Sequence, residues 1–292
     1  MFTLAHLSDP HLAPLPAARV GELMSKRLTG WLNWQRKRRY VHLRSVLDKL
    51  VADLKAQSAD HIAVTGDLTN IALKEEFARA RQWLDSLGAP EDVSVIPGNH
   101  DVYVSQGMAF ALTQWGPYMG NDDGTLSFPY LRRRGDLALI GLSSGIATAP
   151  FMATGRVGEA QLEKLGPLLG AMKKEGRFRV VMVHHPPISH AKSHKRLLDA
   201  AALKQVIAEH GVELLLHGHD HLAMLNWLAD PDSNGEPAVG VPSASAAPGM
   251  SHDAAAYNLY SIDGAPGDWT CEMIARGITP SGDVIEQKRM VL

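Results

Sequence analysis

The chain has 292 residues, 45% of them hydrophobic and 21% charged, a globular balance that excludes wholesale disorder and fibrous repeats. Its 29 Lys and Arg nearly match its 31 Asp and Glu, and the formal net charge of −2 argues against a dedicated nucleic-acid binder, which carries a strong basic excess. The single cysteine, Cys271, rules out an internal disulfide and a cysteine-rich zinc site and fits a reducing compartment.

The opening stretch MFTLAHLSDPHL has no basic leader and no long apolar core, and no run approaches the ~20 apolar residues of a bilayer span, so the expected location is the cytoplasm. A short apolar run at 3–7 predicts a buried strand. A basic stretch follows at 19–44, where Arg19, Lys26, Arg27, Arg36, Lys37, Arg38, Arg39 and Arg44 face a single acid, Glu22. Val20, Leu23, Met24, Leu28, Trp31 and Leu32 recur there at helical spacing, which makes it a basic amphipathic insert. The pattern then predicts a helix over 43–54, a strand over 61–65, a helix over 73–87 and strands over 93–96 and 137–142. A helix over 158–174, a strand over 179–183, a helix over 195–210 and a strand over 212–216 come next, with Gly88, Gly176 and Gly211 as helix stops. Beyond residue 221 only strands are expected, over 223–229, 237–243, 256–262, 269–275 and 284–291. A βαβ-like front and an all-β back predict two packed sheets with helices outside, in one domain covering 1–292.

Five clusters of acid, amide and imidazole fall at the C-terminal ends of predicted strands, where open sheets bind their ligands. They are Asp9-Pro10-His11, Gly66-Asp67, Gly98-Asn99-His100-Asp101, His184-His185 and Gly218-His219-Asp220-His221. Each alone has a plain explanation as a turn or a satisfied histidine. Together they describe a metal site. Asp9, His11, Asp67, Asn99, His184, His219 and His221 are too many donors for one ion, and two ions sharing one carboxylate would use them all. Oxygen and imidazole donors without thiolate suit Mn, Fe, Co, Ni or Zn better than Ca²⁺ or Cu⁺.

This set resembles the signature of calcineurin-like metallophosphoesterases, from residue 3 to about 221, and the strand-rich tail is similar to that family's second sheet. The resemblance implies a four-layer α/β/β/α sandwich. It implies one ion (Mn, Fe or Zn) on Asp9, His11 and His221, a second on Asn99, His184 and His219, and Asp67 as the bridging carboxylate. His100 resembles the catalytic histidine that contacts the phosphoryl oxygens and, protonated, helps the leaving group depart; Asp101 resembles the partner that orients it. Two such cations, roughly 3.5–4 Å apart, lower the pKa of a bound water from about 15.7 toward neutrality, and the resulting hydroxide attacks phosphorus in line.

The resemblance names the reaction and leaves the ester open. The chain length and the string His184-His185-Pro186-Pro187 are similar to small bacterial class III cyclic nucleotide phosphodiesterases and glycerophosphodiesterases. The loop 188–196, with His190, Lys192, His194, Lys195 and Arg196, is a candidate for substrate contacts, and 242–248 for a wall of the site. The insert 19–44 has three readings: a helix packed on the body or on a second copy of the chain, a cap over the site, or a membrane-surface helix. The last would favour a UDP-sugar lipid pyrophosphatase. A phosphomonoesterase, a DNA nuclease and a non-catalytic binding scaffold of the same fold are the remaining alternatives.

Overall fold

The structure is a computed structural model and describes residues 1–228, 235–250 and 252–292. Two six-stranded mixed sheets pack face to face. The first runs β12-β11-β10-β1-β2-β3, the second β4-β5-β6-β7-β9-β8.

In the first sheet, β1 (Phe2–Leu7), β2 (His61–Val64) and β3 (Val93–Val95) are parallel. In the second, β5 (Leu137–Gly141), β6 (Phe178–Met182), β7 (Leu214–His217) and β9 (Pro237–Gly240) are parallel. Parallel strands are covered on both faces, so they read as unbroken apolar runs. That is why these segments carry the strongest signals in the sequence.

One continuous core lies between the sheets and under helices α3 (Arg44–Ala56), α4 (Lys74–Leu87) and α5 (Gly107–Met119), joining Leu4, Leu47, Phe77 and Trp115 to Leu139, Val180 and Leu216. A second core packs α6 (Glu159–Lys174) and α7 (Ala200–His210) on the far face of the second sheet, through Leu165, Leu169, Leu203 and Ile207 against Ile140, Val181 and Leu215. The layers are therefore helix, sheet, sheet, helix.

Three features differ from expectation. The tail is divided: β8 (Met224–Trp227) and β9 join the second sheet, whereas β10 (Ala256–Ala265), β11 (Asp268–Ile278) and β12 (Val284–Val291) extend the first. The reason is edge pairing, since an uncovered strand edge is a liability; β10 covers the open side of β1 over Phe2–Ile262 to His6–Asn258. Two elements lie where no element is expected, the edge strand β4 (Tyr130–Arg134) and helix α5. Helix α7 begins at Ala200, because Ser193–Lys195 forms a separate 3₁₀ turn. Gly176 and Gly211 adopt left-handed backbone (φ 70° and 72°) as helix stops, while Gly88 ends α4 extended. Residue 229, at the end of the strand expected over 223–229, lies outside the described residues.

The insert forms α1 (Arg27–Asn33), a π-helical turn over Trp34–Arg38 and α2 (Arg39–Val41). No helix among the described residues is long and apolar enough to cross a membrane.

Candidate metal centre

The loops after β1 and β2 run side by side, tied by Asp9 N–H to Gly66 C=O and His11 N–H to Asp67 C=O, each at 3.0 Å. The loop after β7 is joined to the end of β6 by Gly218 N–H donating to His184 C=O at 3.1 Å. Among the described residues, eight non-glycine residues have positive φ, and Asp9, His11, Asp67, His219 and His221 are five of them. Left-handed backbone is costly for such residues, and it clusters at functional sites because the surrounding fold over-determines it. Gly218 is obligatory here: a Cβ would run into Ser8 Oγ and the Asp9 carboxylate.

These backbones bring all seven expected donors together. Asp9 Oδ1 lies 3.1 Å from His221 Nε2, and His221 Nε2 lies 3.3 Å from His11 Nε2. Asn99 Oδ1 lies 2.8 Å from His219 Nδ1 and 3.2 Å from His184 Nε2. Asp67 stands between the groups, with Oδ2 3.3 Å from His184 Nε2 and 3.8 Å from His11 Nε2. Asp9, His11, Asp67 and His184 are buried.

The outer hydrogen bonds fix which ring nitrogens face inward. His11 Nδ1 donates to Thr69 C=O (3.1 Å) and His184 Nδ1 to Thr65 C=O (2.6 Å), leaving each Nε2 toward the centre. His219 Nε2 donates to Lys195 C=O (2.7 Å), leaving Nδ1 toward Asn99 Oδ1. Histidines that ligate metals are oriented in this way. A lone pair on His219 Nδ1 against the Asn99 oxygen, and two Nε2 atoms facing each other, call for positive charge between them.

The electrostatics carry the same demand. Burial opposes charge on Asp9, yet His221 holds its carboxyl well below the usual range. Burial likewise opposes charge on His184, but Asp67 pushes the imidazole up to about 10, so the donor cluster favours a positive charge at this position. A bound metal displaces such protons. The donor set therefore fits metal ions.

His100 lines the cavity beside the donors. Its Nδ1 donates to Asn70 C=O at 2.5 Å and its Nε2 accepts from Arg38 Nη1 at 2.9 Å. Burial, then the Arg38 charge, push its pKa down to about 3. Asp101 does not bond the His100 ring; its Oδ1 accepts from Thr69 N–H (2.8 Å) and its Oδ2 from Gly98 N–H (2.9 Å). Burial and neighbouring Asp67 raise its carboxyl to about 7. The group that orients His100 is the Asn70 carbonyl, on a loop gathered by Glu76, whose buried carboxylate accepts from the N–H groups of Asn70, Ile71 and Leu73 at 2.6, 3.2 and 2.9 Å.

Two features escape the strand-end pattern. Arg38 comes from the insert. So does His42, whose ring centroid is 4.5 Å from that of His11 and whose Nδ1 lies 3.0 Å from Ser245 Oγ. Ser243 Oγ donates to Asp9 C=O at 2.6 Å, so the 242–248 segment braces the loop that carries Asp9. His190, His194 and Lys195 of the 188–196 loop border the cavity, which has a volume of about 710 Å³. His185 is not turned to the donors; its Nδ1 pairs with Ser144 Oγ at 2.8 Å.

A family model described as calcineurin-like phosphoesterase matches residues 2–223. A probable cyclic nucleotide phosphodiesterase of Synechococcus sp. is 30% identical over 180 residues, a match covering 59% of this chain and 62% of that relative. The match thus spans less than two thirds of the relative's own length. Among solved structures, a dimetal phosphatase from Danio rerio is similar with a TM-score of 0.65 at 17% identity, over 98% of each chain. GAP50, the anchor in the inner membrane complex of Plasmodium, has a TM-score of 0.50 at 13% identity, over 100% of this chain and 88% of its own. Identities this low speak for the fold alone.

Proposed function

The chain belongs to the calcineurin-like phosphoesterase family, and on that premise we propose that it is a dinuclear-metal hydrolase of a small phosphodiester, a cyclic nucleotide or a glycerophosphodiester. Asp9, His11 and His221 hold one ion, Asn99, His184 and His219 the other, and Asp67 serves both. The observation that carries this reading is the position of Asp67 Oδ2, 3.3 Å from His184 Nε2 and 3.8 Å from His11 Nε2. Bound at these donors, two cations supply Lewis acidity for the phosphoryl oxygens and lower the pKa of water.

The chain's own residues do the rest. Asn70 C=O holds the His100 ring with Nε2 toward Arg38, both residues lining the cavity. His100 contacts the phosphoryl oxygens and, protonated, helps the leaving group depart. Asp101 secures the turn that carries Asn99 and His100 through the Gly98 N–H. The Synechococcus relative's name supports the diester.

One observation favours a second reading. Phe151, at the cavity rim, is 82% exposed, and Lys26 of the insert donates to Met152 C=O beside it at 2.8 Å. Val20 and Met24 of the same insert are 82% and 83% exposed. Such an apolar border suits an ester with a lipid moiety, a UDP-sugar lipid pyrophosphate among them.

The test is hydrolysis of bis-p-nitrophenyl phosphate and p-nitrophenyl phosphate by Mn²⁺-loaded protein, with Asp67→Ala as control. Diester preference, lost in the variant, is expected. Monoester preference would make the protein a phosphomonoesterase. No turnover of either, with sedimentation on anionic liposomes, would favour the lipid reading.

A further inference from the structure

Arg38 is a half-buried cation that no strand-end motif supplies. Its Nη1 is spent on His100 Nε2. Its Nε and Nη2 are buried and have no hydrogen-bond partner among the described residues, and no ion pair there holds the guanidinium. Buried guanidinium N–H groups are expensive to leave unbonded, so an unfilled pair marks a place for a ligand.

The insert is built to deliver this side chain. Lys26, Gly30, Trp34 and Arg38 follow one another at four-residue spacing and so share a helical face. Lys26, Gly30 and Arg38 line the cavity, and Trp34 is buried. Gly30 permits the approach: a Cβ there would stand 2.6 Å from Ile71 Cγ2 and 2.7 Å from Tyr103 Oη. Arg27 fastens the same helix to the loop that carries Asn70 through Ile71 C=O at 3.1 Å and Ala72 C=O at 2.5 Å. The π-helical turn ends at Arg38, and such turns recur at functional sites.

We propose that Arg38 is a substrate-binding residue that receives two non-bridging oxygens of the phosphoryl group on its Nε–Nη2 edge. The inference rests on the phosphoesterase reading above and adds a contact from the insert. The two unbonded donors form one side of a planar fork, which matches two oxygens of a phosphate in a way a lysine cannot. With Nη1 on His100, the same guanidinium holds the anion and the imidazole in one plane of contacts.

The experiment is calorimetric titration of inorganic phosphate into Mn²⁺-loaded wild type, Arg38→Ala and Arg38→Lys, with bound metal measured on each sample. Arg38→Ala should keep the wild-type metal content and bind phosphate about ten- to a hundredfold more weakly, the span expected for charge-assisted bonds. Arg38→Lys should fall between the two. Unchanged affinity in Arg38→Ala, or no phosphate binding by wild type, would overturn the proposal. Loss of metal in step with phosphate in both variants would also overturn it, since Arg38 would then be a brace of the centre. Arg38-dependent phosphate binding in a protein that turns over no diester would sink the diesterase reading and leave this contact standing.

Discussion

The strand-end loops and the insert approach the same cavity by different means. The loops are held by backbone: they exchange N–H to C=O bonds with each other, take left-handed conformations and bury most of their donors. The insert is held by the side chains of Arg27, Lys26 and Trp34, with backbone bonds only at its end, where Val41 and Leu43 meet Ala247 and Ser245, and it leaves Val20, Met24, Leu28 and Leu32 exposed. A site divided in this way separates two jobs. The donor cluster is part of the fold and resists rearrangement, while the insert can change what the cavity accepts without disturbing the donors.

The largest expected effect tests the first half of that contrast. Asp67 faces both donor groups and also accepts from His100 N–H at 2.7 Å. Asp67→Ala should lower kcat/KM about 10³-fold or more, since several kcal/mol of transition-state charge stabilisation goes with the metals. Its bound metal, read by elemental analysis, should fall with it. His100→Ala should keep the metal and lose about 10²-fold in turnover. Equal metal loss in both variants would erase the distinction between donors and contacts.

How much of this is legible in the sequence follows from where each signal comes from. Parallel strands bury both faces, so β1, β2, β6 and β7 stand out as apolar runs, and the residues just after them mark donor loops. β4 does not stand out, because Tyr130–Arg134 carries three arginines that read as solvated charge. Arg132 is in fact buried, its guanidinium satisfied by the carbonyls of Gly120, Pro90, Val93 and Pro117. Gly116 and Pro117 hide α5 behind turn chemistry, although Ala111, Trp115 and Tyr118 are spaced as one helical face. His42 and Arg38 have no local signal at all. Their place depends on the insert folding back across residues 243–247, through Leu43 N–H to Ser245 C=O and Ala247 N–H to Val41 C=O, at 2.9 and 2.8 Å.

A second, smaller effect sharpens the comparison from inside the loops. Glu76 is the one carboxylate gathering the N–H groups of Asn70, Ile71 and Leu73, and Asn70 C=O orients His100. Glu76→Ala leaves three buried donors unsatisfied and should cost about 3 kcal/mol of unfolding free energy in urea titration. Turnover should drop more than metal content, since the loop carries the His100 support. Wild-type stability in this variant would mean that the loop is held elsewhere.

The smallest effect lies far from the cavity and serves as the reference for both regions. Asp53 on α3 accepts from Arg276 Nε and Nη2, each at 2.8 Å, and from Tyr257 Oη at 2.6 Å, tying the helix to β10 and β11. Burial alone would raise its carboxyl, but the Arg276 and Tyr257 hydrogen bonds hold it below the ordinary value. A depressed folded pKa contributes stability that is fully present above the unfolded value, about 3.9, and disappears as pH falls through the folded one. Asp53→Asn should therefore cost about 1–2 kcal/mol at neutral pH, after allowance for partial exposure of the pair, and progressively less below about pH 4. Catalysis and metal content should stay at wild-type levels, because no donor loop touches Asp53. A loss of activity beyond the small loss of stability would show that the outer helix layer reaches the site, and the division between a rigid donor cluster and an adjustable insert would need a third participant.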